Sequence, residues 1–171
     1  MTYQNETFTI SMLVENYAGV LSQITRLFSR RGYNIQSIAA NQIDRPNETR
    51  ITIIADGTDA MAEQILLQVR KQISVISAKI ITAEASVQRS MVIIKVVGDT
   101  KEKRDEVIQI SNVFRANIID FSLDCLTISV TGAPDKIEAF IRLMTPFGIL
   151  ELVRSGIVTI ERGKSTIDSE Y

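Results

Sequence analysis

Between Phe8 and Ile38 the hydrophobic period changes, and that change constrains the chain more than any other feature. Phe8, Ile10 and Met12 alternate with Thr9 and Ser11, which is strand behaviour. From Leu21 onward, Leu21, Ile24 and Phe28 fall three and four apart, with Leu27 widening the stripe. One face of a helix is therefore apolar. Asn16 and Gly19 occupy the join between strand and helix, and Gly32 stops the helix because it takes a left-handed cap without a Cβ penalty. A helix beginning just after Gly19 presents unpaired N–H groups and the positive end of its dipole, which favours a small anion such as a carboxylate. Gly19 lets a ligand approach the backbone, and Asn16 adds an amide with a donor and an acceptor. Asn34, at the start of the next strand, is a second candidate amide. Two neutral amides beside a helix end suit a zwitterion. The plainer reading is a turn shaped by Asn16 and a helix that simply starts at Gly19.

The rest of the chain repeats this order. Strands are expected at Ile35 to Ile43 and Thr49 to Ala55, around a turn at Asp44, Arg45, Pro46 and Asn47. Thr58 or Asp59 can cap a helix whose buried face is Met61, Ile65, Leu66, Val69 and Ile73. A strand near Val75 to Thr82 completes a β-α-β-β-α-β unit. Ala83 to Arg89 reads as a linker. Met91 to Val97 is a continuous apolar run, expected to be buried on both faces. A charged segment from Lys101 to Glu106 then opens a helix with a stripe at Val107, Ile110 and Phe114. It reads as a solvated surface. Strands at Asn117 to Ser122 and Leu126 to Thr131 follow. A helix led by Pro134 carries Ile137, Phe140, Ile141 and Met144 on one face. Ile149 to Val153 and Ile157 to Ile160 are the last strands, and the polar residues after Gly163 are expected to be loose.

The expected fold is α+β: two tandem ferredoxin-like β-α-β-β-α-β domains over residues 1–82 and 83–163, then a polar tail, 164–171. Each unit has roughly 75 to 80 residues, a marginal size alone. A four-stranded sheet with helices on one face needs cover on the other. A second chain or the other unit would supply it, so a homodimer is expected.

Several function classes are disfavoured. The 171 residues contain no histidine, which removes the commonest general base and metal ligand. The lone Cys125 permits no intramolecular disulfide and is a poor nucleophile candidate without histidine. No catalytic or metal-binding residue is therefore assigned. Nineteen basic residues against 20 acidic give a formal charge of −1, which argues against nucleic acid. No apolar run approaches the ~18 residues of a membrane span, and the N-terminus carries no apolar signal core. A cytoplasmic location is expected.

The series Glu15-Asn16-x-x-Gly19-Val20-Leu21, then Leu27-Phe28-x-x-Arg31-Gly32-Tyr33-Asn34-Ile35-x-Ser37, closely resembles the regulatory (small) subunit of acetohydroxyacid synthase, also called acetolactate synthase. The likeness continues through Thr49-Arg50-Ile51-Thr52, Phe114-Arg115-Ala116-x-Ile118-Ile119-Asp120 and Arg154-Ser155-Gly156-x-Val158. It runs from about residue 7 to residue 163.

The resemblance implies that the first unit is an ACT domain, an amino-acid-binding module. Such subunits do no chemistry. They bind and activate a catalytic subunit, which carries thiamine diphosphate, magnesium and FAD, and they confer feedback inhibition by a branched-chain amino acid, usually valine. By the same resemblance, Asn16, Ala18, Gly19 and Val20 form the loop and helix start that hold the effector's carboxylate. Asn34 and Ile35 meet its ammonium and side chain from a neighbouring ACT domain. Asn41 and Gln64 are linked to effector response. Two residues bear on effector identity: Tyr17 is large for this loop, and Asn41 stands where the family more often has a small or apolar residue. An ACT-domain sensor acting on another partner is the alternative.

Overall fold

The computed structural model describes residues 6–168, and its residues group into two compact units. One comprises the chain up to Val87 together with the segment from Ile157. The other is Gln88–Gly156. The expected linker is shorter than its composition suggests, because pairing begins at Ser86.

In the first unit the order is β1 (Thr7–Glu15), α1 (Val20–Arg30), β2 (Ile35–Gln42), β3 (Glu48–Asp56), α2 (Asp59–Arg70) and β4 (Val75–Ile80). The sheet order is β2-β3-β1-β4, with every neighbouring pair antiparallel. Phe8, Ile10, Met12 and Val14 of β1 alternate onto one face, where Ile51, Ile53 and Ala55 of β3 join them. Val20, Ile24 and Phe28 of α1 close over this face with Ala62, Ile65, Leu66 and Val69 of α2. Thr58 caps α2 by accepting the Met61 N–H.

One expected core residue falls outside. Ile73 is 98% exposed, although it continues the period of Ile65 and Val69. The helix ends at Arg70, whose guanidinium turns back to the Ala78 carbonyl at 3.0 and 3.1 Å. The Gln72 N–H then donates to the Val69 carbonyl and the Val75 N–H to the Gln72 carbonyl, both at 3.0 Å, a turn that leaves Ile73 in the connection to β4.

The helix-free face of this sheet is also buried, at Ser11, Leu13 and Thr52. Part of its cover is the chain's own C-terminal segment. Arg50 Nη2 donates to the Thr159 carbonyl at 3.0 Å, and Lys79 Nζ to the Thr166 carbonyl at 2.6 Å. Ile167 is buried. The residues after Gly163, expected to be loose, are thus seated as far as Asp168; residues 169–171 lie outside the described chain.

The second unit follows the same order: β5 (Ser86–Val97), α3 (Lys101–Val113), β6 (Asn117–Phe121), β7 (Cys125–Gly132), α4 (Pro134–Met144) and β8 (Ile149–Arg154). A single 3₁₀ turn, Thr145–Phe147, follows α4. The sheet order is β6-β7-β5-β8, and the last strand, β9 (Val158–Glu161), belongs to the C-terminal segment of the first unit. β5 is central, but it is not buried on both faces as expected: its burial alternates. Val92, Ile94 and Val96 enter the core, while Met91 is 41% exposed. The helices α3 and α4 cover one face only, so the other half of the apolar run is not enclosed by them.

Candidate functional site

The join between β1 and α1 is held from both sides. The Glu15 N–H donates to the Ser74 carbonyl at 2.9 Å, and the Asn16 N–H to the Asn47 carbonyl at 2.6 Å. Asn47, in the β2–β3 turn, takes a left-handed conformation, φ 60°. Asparagine tolerates that region better than most residues. Asn16, Ala18 and Gly19 are exposed. Gly19 has φ 96°, and a Cβ there would meet no atom within 4 Å. The glycine is required by backbone conformation, and the space beside it is open.

At the start of α1, Val20 N–H is used by the Tyr17 carbonyl at 3.2 Å, and the Gly19 carbonyl accepts the Gln23 N–H at 3.0 Å. The N–H groups of Leu21 and Ser22 lie between these and precede the first i→i−4 bond. No side chain caps this helix, and its first turn contains no acidic residue. The positive end of the dipole is therefore not offset locally. This differs from α2 and α3, which are capped by Thr58 and Thr100 and carry Asp59 and Glu102 in their first turns. An anion would find two unpaired N–H groups there, on a helix start that follows the exposed Asn16 by four residues.

Tyr17 does not close this space by stacking into the core. Its hydroxyl donates to Gln23 Oε1 at 2.6 Å, and Gln23 Nε2 donates to Gln72 Oε1 at 3.0 Å. The ring is thus tied along α1 toward the end of α2. Val20 is 5% exposed and belongs to the core, so its side chain shapes the helix start from beneath.

Asn34 and Ile35 stand elsewhere in the unit. Asn34 Nδ2 donates to Asp56 Oδ2 at 2.9 Å, and the Asp56 N–H returns to the Asn34 carbonyl at 2.9 Å. Asp56 pairs with Thr7, at the far end of β1 from Glu15. At ~3.3 Å per residue, that strand separates the two ends by about 26 Å. Within one chain the structure therefore does not bring Asn34 to Asn16. Asn41 pairs with Arg50, which pairs with Leu13, so it lies toward the Asn16 end on the edge strand β2. Gln64 is exposed on α2, and no hydrogen bond connects it to the loop.

Sequence reasoning missed the roles of Asn47 and Gln23, whereas the unpaired N–H groups expected at the helix start are those of Leu21 and Ser22. The Pro46-Asn47 turn was a usable signal for Asn47. Cys125 is half-buried at the start of β7. Among the described residues no group of three or more Asp, Glu or Cys side chains is placed to hold a metal ion. No helix among them is long and apolar enough to cross a membrane.

Residues 10–77 match the family described as the AHAS small subunit-like ACT domain, and residues 89–163 match the one described as the small subunit of acetolactate synthase. A probable acetolactate synthase small subunit from Methanothermobacter thermautotrophicus is 43% identical over 95% of this chain and 96% of its own. The acetolactate synthase small subunit of Mycolicibacterium smegmatis is 41% identical over 95% of both. The crystal structure of the Thermotoga maritima acetolactate synthase small subunit superposes with a TM-score of 0.85 at 38% identity, covering 94% of this chain and 99% of that one. The chain belongs to the acetolactate synthase small-subunit family, with an ACT regulatory domain as its first unit.

Proposed function

We propose that this chain performs no chemistry itself. It binds and activates the acetolactate synthase catalytic subunit and transmits feedback inhibition by a branched-chain amino acid, with valine favoured. The thiamine diphosphate, magnesium and FAD of the reaction fall to the catalytic subunit. The observation that carries the sensing role is the start of α1: uncapped, free of acidic residues and open behind Gly19.

The separation of Asn34 from Asn16 bears on how the site is built. β2 is an edge strand, and an exposed edge is a template for pairing with another chain. Two copies paired antiparallel along β2 about a two-fold axis would lay the Asn34 end of one beside the Gln42 end of the other. That second end belongs to the side of the sheet carrying Asn16. The effector would then sit between two ACT domains, its carboxylate on one and its ammonium toward the other. Choice among valine, leucine and isoleucine turns on a methylene or its placement, worth about 1–3 kcal/mol. A regulatory coupling of this kind is typically about 1–3 kcal/mol.

Calorimetric titration of the purified chain with L-valine, L-leucine and L-isoleucine, alone and with catalytic subunit, tests the reading. Saturable heat that Asn16→Ala removes is the expected result. Absence of heat in both settings, with the protein folded, would overturn it.

A further inference from the structure

The C-terminal segment is attached to the first unit at several places along its length. The Ile157 N–H donates to Ser37 Oγ at 3.2 Å. Thr159 is buried, and its carbonyl accepts Arg50 Nη2, while Arg50 Nε holds Ser11 Oγ at 3.1 Å. Lys79 Nζ reaches both Glu161, at 3.2 Å, and the Thr166 carbonyl. Ser77 Oγ donates to the Ile167 carbonyl, and the Ile167 side chain is buried. At its end Asp168 receives both terminal nitrogens of Arg45, Nη1 at 2.9 Å.

Arg45 stands in the turn between β2 and β3, two residues before Asn47. The Asn47 carbonyl receives the Asn16 N–H. A continuous line of contacts thus runs from the tail, through one turn, to the loop of the candidate effector site. An isolated exposed ion pair stabilises little. This one is bidentate, which adds geometric definition. Asp168 is also delivered to Arg45 by a segment already fixed at Ile167, so little further ordering is needed to form the pair. Asp44, Arg45, Pro46 and Asn47 are all exposed, so the turn has little packing of its own to hold Asn47 left-handed and aimed at Asn16.

We propose that the segment Ile157–Asp168 is a strap that sets the position of the Asn16–Gly19 loop, with Arg45, Asp168 and Ile167 as positioning residues. The consequence for ligand affinity rests on the effector reading above; the consequence for the loop itself does not.

Hydrogen exchange on the full-length chain tests this, comparing wild type with Asp168→Asn and Ile167→Ala. The first variant weakens the ion pair, and the second frees the strap without altering charge. In both, exchange of the Asn16 amide is expected to rise several-fold, with the Met12 amide in the middle of β1 unchanged. Faster exchange at Ile167 and Asp168 with no change at Asn16 would overturn the proposal, as would no change anywhere in Asp168→Asn. Valine titration of the same proteins separates the two readings. Failure of wild type to bind counts against the effector site, while the Asn16 exchange rate still decides the strap.

Discussion

Asn16 and Asn34 lie at opposite ends of one β-α unit, the first beside Glu15 and the second hydrogen-bonded to Asp56. Eleven residues of α1 run between them, so no single chain can close both amides on one small ligand. A site using both requires two chains, and this can be read directly by complementation. Asn16→Ala and Asn34→Ala are each expected to abolish effector binding when pure. In a two-fold dimer, a mixed pair contains one site with both amides intact and one with neither. Random mixing should therefore restore about a quarter of the wild-type sites, counted by calorimetric stoichiometry after subunit exchange. No recovery on mixing, with exchange demonstrated, would mean that the two asparagines do not share a site.

Gly19 separates backbone requirement from ligand requirement. Its φ of 96° disfavours any L side chain, yet a Cβ would meet nothing within 4 Å. Gly19→Ala should therefore destabilise the first unit by about 1–2 kcal/mol, through left-handed strain alone. Gly19→Asp carries the same strain but adds a negative charge that the helix start favours. It should unfold at no lower denaturant than Gly19→Ala while losing carboxylate binding. Urea unfolding paired with titration checks both halves. Activation of the catalytic subunit should persist in folded Gly19→Asp.

Local signals carried most of the fold. The period change after Gly19, the Pro134 helix start and the stripe Ile137, Phe140, Met144 are nearest-neighbour patterns, and each corresponds to an observed element. Ile73 misled because periodicity cannot see that α2 ends at Arg70 and that the backbone then turns at Gln72 into β4. The seating of Ser165 to Asp168 was invisible for a related reason. Apart from Ile167, that stretch offers no apolar pattern, and the groups that bind it, Arg45, Ser77 and Lys79, are distant in sequence. At the site, the chemistry of Asn16 and Gly19 was readable from residue type. That Asn34 lies well away from Asn16 follows from the intervening helix, since the eleven residues of α1 at ~1.5 Å each already span about 16 Å.

Each unit has one fully buried phenylalanine on a helix that faces its sheet. Phe28 of α1 and Phe140 of α4 are both 0% exposed, and Phe140 also meets Phe114 at 5.3 Å between ring centroids. Truncation to alanine should cost about 3–5 kcal/mol at either position, as lost transfer energy plus a cavity. The damage should be local in kind. Phe28→Ala should speed hydrogen exchange at Met12 of β1 more than at Ile128 of β7, and Phe140→Ala should do the reverse. Equal acceleration at both amides in both variants would show that the two cores open as one.

The strap should respond to acid in a defined direction. The Arg45 hydrogen bond, reinforced by the charges of Arg45, Arg50 and Lys79, holds the Asp168 carboxyl below its ordinary value of 3.8. Glu48 and Glu161 also line this face, paired to Arg45 and Lys79. A carboxylate with a lowered folded-state value binds fewer protons folded than unfolded. Its stabilisation is therefore complete well above 3.8 and fades as pH falls through the lowered value. On acidification from pH 6 toward pH 3, the Ile167 methyl signals should move to free-chain positions before those of Ile10 and Ile53. In Asp168→Asn the carboxylate is gone at every pH, so the Ile167 signals should already be shifted at pH 6 and should change less on acidification. An Ile167 transition of the same midpoint and size in both proteins would show that the Asp168 carboxylate is not the acid-sensitive hold.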